Sequence, residues 1–221
     1  MQEMTRRIEL KKGILVAIEG IDGAGKTTQS ILLTERLNKS EYPVVRFHEP
    51  TDGIWGDKIR DLAKNGRHKT NAEDELDLFY RDRLEDVQKN IAPSLKEKKI
   101  VIMDRYYFSS VAYQGARGLD PDYVEKKNEK IAPKPEVLII LDLTPEAALM
   151  RIRQKRNDTP NHFERTKYLE KVRQIFLEKF RNRPYVRIVK GDDTRSEQDV
   201  AQEIWEIVLP IVKKNEESQL G

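Results

Sequence analysis

The chain has 221 residues, 36% of them charged, and its 41 lysines and arginines nearly balance 38 acidic residues to leave a formal charge of +3. That balance argues against a nucleic-acid-binding chain, which would carry a clustered basic excess, and the absence of cysteine excludes a disulfide framework. Met1 to Lys12 is charged and no window approaches the roughly eighteen apolar residues of a membrane span. The expectation is a soluble, cytoplasmic single domain with a mobile insert, with neither nucleic acid nor membrane as partner.

Ile14 to Ile18 reads as a buried strand that empties into Gly20-Ile21-Asp22-Gly23-Ala24-Gly25-Lys26-Thr27, the phosphate-loop pattern G-x-x-x-x-G-K-[ST]. Its glycines let successive N–H groups turn inward around a phosphate, and the following helix points its positive end at the same place. Lys26 then reaches the outer phosphates, while the Thr27 hydroxyl is placed to ligate the magnesium ion that accompanies them. Gly20 to Thr28, including Ile21, Ala24 and Thr28 itself, is the candidate donor-binding segment. The helix from Thr27 to Leu37 is read with Ile31, Leu32 and Leu33 inward.

Pro43 to Phe47 is a second strand, with Glu49-Pro50-Thr51-Asp52-Gly53 as a loop at the carboxyl end where ligand loops of open parallel sheets lie. Gly53 to Ala63 is a short helix with Ile54, Ile59 and Leu62 inward. Asn71 to Lys98 carries Leu76, Phe79, Tyr80, Leu84, Val87, Ile91 and Leu95 at helical spacing, a long amphipathic helix on which Phe79 and Arg83 share a face. Ile100 to Asp104 is a buried strand ending in a carboxylate, the form of a magnesium-side aspartate. After the polar and aromatic stretch Ser109 to Gly115 come a short helix at Asp120 to Lys130 and a fourth strand, Val137 to Asp142. Thr144 caps a helix begun by Pro145. The basic residues Arg151, Arg153, Lys155 and Arg156 lead into a polar loop, Asn157 to Asn161. A helix from about Glu164 to Phe180, a strand at Tyr185 to Val189 and a helix opened by Ser196 with Asp199 complete the pattern, with a frayed tail after about residue 213. Strands alternating with helices give an α/β domain with a covered parallel sheet.

A phosphate loop alone does not separate a kinase from a GTP switch, a motor or a DNA-bound ATPase. A guanine-specific switch would carry Asn-Lys-x-Asp after a strand; the nearest string, Asn38-Lys39-Ser40-Glu41, follows the first helix and lacks the aspartate. A kinase acting on a small acceptor needs a second site, with arginines for an acceptor phosphate and a flat apolar surface for a base. Phe79, Arg83, Arg105, Tyr106 and Tyr113 supply those parts. Other nucleoside and nucleoside monophosphate kinases share this donor chemistry, and a nucleotide-dependent interaction protein would share the loop without the second site.

The chain resembles the thymidylate kinases, which pass the γ-phosphoryl group of ATP to dTMP to make dTDP. Four stretches carry the likeness: the phosphate loop with Asp22, Phe79 with Arg83, Asp104-Arg105-Tyr106 through Ser109-Ser110-Val111-Ala112-Tyr113-Gln114, and the basic helix after Leu141-Asp142-Leu143-Thr144-Pro145. The resemblance implies an α/β fold with a five-stranded parallel sheet in the order 2-3-1-4-5, flanked by helices, a mobile lid at about residues 151–161, and a homodimer. It implies ATP with Mg2+ as donor, dTMP as acceptor, and Thr27 and Asp104 on the metal side. Phe79 would stack on thymine, Arg83 would bond its exocyclic oxygen, and Ser110 and Gln114 would contact the base or its surroundings. Tyr113 would crowd the second carbon of the sugar, and Asp22 would approach the 3′-hydroxyl. Arg105 and Arg60 would hold the acceptor phosphate, and Glu49, Pro50 and Tyr106 complete the acceptor set. Gly23 stands where the eukaryotic pattern has a basic residue, so the catalytic arginine is expected in the lid, with Arg153 the best aligned.

Overall fold

The structure, a computed structural model, describes residues 8–66, 70–156, 162–191 and 194–217. Strands β1 (Ile14–Gly20), β2 (Val44–His48), β3 (Ile100–Asp104), β4 (Val137–Asp142) and β5 (Val186–Lys190) form one parallel sheet in the order β2-β3-β1-β4-β5, as the resemblance implies. β1 and β3 are buried at every position and β4 at all but its last, which is why they read as continuous apolar runs rather than alternations. Ile18 pairs with Asp104 on one side and Ile139 on the other; the three central strands run in the same direction, so their exit loops share one edge.

Nine α-helices occur among the described residues: α1 (Lys26–Lys39), α2 (Ile54–Asn65), α3 (Ala72–Asp86), α4 (Ala92–Lys96), α5 (Tyr107–Ala116), α6 (Pro121–Glu129), α7 (Pro145–Arg156), α8 (His162–Phe180) and α9 (Glu197–Lys214). α1 packs against α9, while α5 lies among α3, α6 and α8. Ser196 and Asp199 form the expected capping box at α9, and the Ala147 N–H donates to Thr144 Oγ1 at 3.4 Å at the start of α7.

Several local expectations are corrected. The helix expected over Asn71 to Lys98 is irregular: α3 continues through a π segment, Val87–Ile91, into α4. Pro93 lies two residues past that segment; it has no N–H and its ring crowds the preceding turn, which a wider turn accommodates. The buried face of α3 also mixes Leu76 with Glu75, Asp82, Arg83 and Asp86, while Phe79, Tyr80 and Leu84 are only partly covered. Ile31 and Ile54, expected inward, are 39% and 71% exposed. Ser109 to Gly115 belongs to α5, whose residues Tyr107 to Gln114 are all buried; a helix covered all round has no apolar stripe to read. The tail expected to fray is instead tied down as far as Glu217, where Glu216 bridges to Leu10 and Lys98 Nζ bonds Glu217 at 2.8 Å.

Candidate active site

A cavity of about 820 Å³ opens at the carboxyl edge of the sheet, between the loop after β1, the ends of β2 and β3, helices α7 and α8, and the start of α9. Six cationic side chains line it, Lys26, Arg46, Arg105, Arg151, Arg165 and Arg195, against four carboxylates, Asp22, Glu49, Asp104 and Glu197. A basic excess in a concave site with backbone N–H groups and a helix N-terminus suits a polyphosphate.

The phosphate loop is built by its glycines. Gly23 has φ +86°, and a Cβ there would sit 2.5 Å from the Ala148 carbonyl oxygen in α7. Lys26 is not solvent-accessible as a free side chain: it is 5% exposed, and its Nζ donates to the Gly20 and Ile21 carbonyls at 3.0 and 2.8 Å. Burial lowers its ammonium to about 8, with repulsion from Arg105 adding and Asp22, Glu19 and Asp104 opposing.

Asp22 and Arg105 join the loop to the second wall. The Arg105 guanidinium bonds Asp22 Oδ1 and reaches Ser109 Oγ at 3.4 Å, while the Tyr113 hydroxyl accepts from Asp22 N at 2.9 Å and donates to Asp22 Oδ1 at 3.1 Å. Withdrawal from water alone would raise the Asp22 carboxyl, yet the Arg105 and Lys26 charges and the Arg105 and Tyr113 bonds hold it below the usual carboxylate range. Arg105 itself has φ +69°, a left-handed conformation uncommon for a residue with a side chain and often found at functional sites.

Of the remaining expected acceptor residues Glu49 lines the cavity, while Arg60, Phe79, Arg83, Ser110 and Gln114 do not. Arg83 is 1% exposed; its Nε bonds Glu49 Oε1 at 3.1 Å, its Nη2 bonds Glu49 Oε2 and, at 3.3 Å, Ser110 Oγ, and its Nη1 bonds Asn128 Oδ1. Four of the five guanidinium donors are thus engaged, leaving one N–H on Nη1. Burial pushes the Glu49 carboxyl up and Arg83 pulls it back down. Gln114 is buried with its Oε1 unpartnered among the described residues, an acceptor oriented without a donor. Phe79 is half-buried on α3. Arg60 holds the loop after β2, donating to the Pro50 and Thr51 carbonyls at 3.3 and 2.7 Å.

Two of the expected residues lie apart from the others. Tyr106 is fully buried with its hydroxyl on the Pro133 carbonyl, so it packs in the core behind Arg83 rather than facing an acceptor. Arg153 is exposed and does not line the cavity, whereas Arg151, Ile152 and Gln154 of α7 do. Residues two apart on a helix are turned by roughly 200°, so α7 cannot present Arg151 and Arg153 to the same place. The polar loop from Asn157 to Asn161 and the side chains of Lys155 and Arg156 lie outside the described residues. Reading the sequence missed Glu19, Arg46, Arg165, Arg195 and Asn128. For Glu19 a signal was present, a lone carboxylate at the end of an apolar strand; a single arginine in a polar helix such as Arg165 carries none.

Thr27 and Asp104 both line the cavity, Thr27 exposed and Asp104 5% exposed. No group of three or more acidic or histidine side chains able to hold a metal occurs among the described residues. One hydroxyl and one carboxylate fit magnesium, which keeps several waters and shares the substrate's phosphate oxygens.

A phosphate loop on the central strand, a basic cavity at the switch edge of the sheet and an arginine-bearing helical wall beside it define a P-loop phosphotransferase of the nucleotide-kinase class. The thymidylate kinase family model matches residues 18–204. The chain is 43% identical over 204 residues to a probable thymidylate kinase of Archaeoglobus fulgidus, covering 91% of this chain and 99% of that protein. A thymidylate kinase of Xanthomonas campestris pv. campestris is 51% identical over 164 residues, 74% of this chain and 70% of its own. The crystal structure of thymidylate kinase from Ehrlichia chaffeensis superposes with a TM-score of 0.70 at 27% identity, covering 90% of this chain and 98% of that one. The chain belongs to the thymidylate kinase family, an enzyme family that phosphorylates dTMP to dTDP with ATP.

Proposed function

We propose that this chain transfers the γ-phosphoryl group of ATP to dTMP through the residues gathered around the Asp22–Arg105 pair, and that pair is the observation that carries the reading. Gly20 to Thr28 holds the donor phosphates, with Lys26 exchanging its two loop carbonyls for phosphate oxygens. Thr27 and Asp104 would hold Mg2+, which when bound neutralises charge on the donor phosphates. The acceptor's phosphate oxygen attacks the γ-phosphorus as the bond to the ADP oxygen breaks. An acceptor phosphate that is already an anion needs no general base, so positioning and charge neutralisation carry the rate. Arg105 orients that acceptor phosphate, and Asp22, held ionised, accepts from the sugar 3′-hydroxyl.

On the acceptor side, Phe79 stacks on the base, the last N–H of Arg83 meets its exocyclic oxygen, and Gln114 Oε1 gains the donor it lacks. Tyr113, fixed against Asp22, fills the space of a 2′-hydroxyl. Arg60 acts through the loop it staples. The positive charge that Gly23 does not supply comes from Arg165 and Arg151 at the cavity wall. A homodimer is part of the same reading, supported by exposed Ile54 beside Trp55 on α2, and light scattering tests it. The function is tested by measuring ATP-dependent phosphorylation of dTMP, dUMP, dCMP, UMP and thymidine side by side. The highest kcat/KM is expected with dTMP, and the lead over dUMP, one methyl group, is worth about 1 to 3 kcal/mol. A better rate with thymidine or dCMP would overturn it.

A further inference from the structure

Glu19 is the one charged residue in β1, and it is fully buried, immediately before Gly20 opens the phosphate loop. A carboxylate in that place is costly unless its oxygens are occupied. They are: Oε1 accepts from Tyr106 N at 2.8 Å and Ser109 N at 2.9 Å, and Oε2 accepts from Ser109 Oγ at 2.6 Å. These donors are the start of α5. That helix has no side-chain cap of its own and no acidic residue in its first turn, so a side chain from a different element takes its orphan N–H groups.

Arg105 sits between these anchors. Its N–H donates to Ile18 O at 3.1 Å, and the next N–H, of Tyr106, goes to Glu19, so consecutive residues of β1 grip consecutive residues of the acceptor segment across the left-handed bend at Arg105. A conformation of that kind persists where the surroundings over-determine it. Ser109 Oγ, fixed by Glu19, also lies 3.4 Å from Arg105 Nη1. Burial raises the Glu19 carboxyl, while Ser109, Arg105, Tyr106 and Lys26 oppose that rise.

We propose that Glu19 is a positioning residue of phosphoryl transfer: by capping α5 from the phosphate-loop strand it sets Arg105, and the acceptor it holds, in register with the donor phosphates. The proposal rests on the dTMP kinase reading above. It acts through Arg105, so its removal is felt on transfer and on dTMP more than on ATP.

The test compares Glu19→Gln, Glu19→Ala and Ser109→Ala with the unaltered chain, whose own turnover of dTMP independently checks the underlying reading. Glutamine keeps an oxygen for the two backbone N–H groups and an amide to donate to Ser109 Oγ, so Glu19→Gln should stay within about threefold in kcat. Glu19→Ala should lower kcat at least tenfold and raise the KM for dTMP, with the KM for ATP changed less than threefold. Ser109→Ala, which removes the Oε2 anchor and the Arg105 contact but spares the cap, should fall between them and remains readable where Glu19→Ala does not fold. The proposal is overturned if Glu19→Ala lowers only the melting temperature, if folded Glu19→Gln is as slow as Glu19→Ala, if the KM for ATP rises as much as that for dTMP, or if Ser109→Ala turns over like the unaltered chain.

Discussion

The Ala148 carbonyl of α7 lies against Gly23 so closely that a Cβ on Gly23 would meet it at 2.5 Å. The position where the eukaryotic pattern has a basic residue is therefore closed by backbone in this chain. Gly23→Ala combines this contact with a positive φ, whereas Gly118→Ala, at φ +102° with nothing within 4 Å, carries the backbone strain alone. In urea unfolding Gly23→Ala should cost more than Gly118→Ala, which is itself expected to cost about 1 kcal/mol. Equal costs would show that α7 yields.

With Gly23 closed, the proposed source of the cation for the transferring group is the helical wall, where Arg151 and Arg165 line the cavity. Arg165→Ala should lower kcat more than tenfold with a small change in the KM for dTMP, the pattern of a contact made mainly in the transition state. Arg153→Ala, on the face of α7 turned from the cavity, should change kcat less than threefold. The reverse ranking in steady-state assays would return the role to Arg153.

The Asp22 carboxyl is held below its usual range in the folded chain by the Arg105 and Lys26 charges. Below about pH 4, near the unpaired value for aspartate, the unfolded chain binds more protons at this residue than the folded one. Stability contributed by the pair is present above that pH and falls as acid is added. The urea midpoint of the unaltered chain should therefore drop more between pH 5 and pH 3 than that of Asp22→Asn. Parallel drops would sink the assignment. The carboxylate meets solvent in the cavity, so the effect is modest.

Arg83 and Glu49 are 1% and 4% exposed and paired through two nitrogen–oxygen contacts. Arg83→Ala leaves a buried carboxylate with no partner, which typically costs about 3 to 5 kcal/mol. A thermal melt should show that loss before any assay does, so slow turnover by this variant does not by itself report base recognition. A variant with unchanged melting temperature would mean that Glu49 is relieved by protonation or water.

Much of the fold was legible because the signals were local. β1, β3 and β4 are apolar runs, the phosphate loop has a fixed spacing, and Ser196 with Asp199 is a short-range cap. The donor half of the site followed, since its residues are consecutive. The acceptor half depends on phase and packing that one sequence does not carry: Tyr106 and Tyr113, two of the three tyrosines in one segment, end in the core and on Asp22 respectively. Helix phase separates Arg151 from Arg153, and Arg165 reaches the cavity only because α8 crosses there. α3 misled because its buried face is built from charges that neutralise one another, which an apolar stripe does not record.

The contacts that fasten Glu217 have a practical side. Glu217 N donates to Glu9 O at 3.0 Å, and these two paired segments rest near Tyr42 and Lys98, just ahead of β2 and β3, at the opposite edge of the sheet from the nucleotide cavity. A fluorophore or surface tether attached at that seam would sit away from the mouth through which nucleotides enter, making this edge the place to hold the enzyme while watching it turn over.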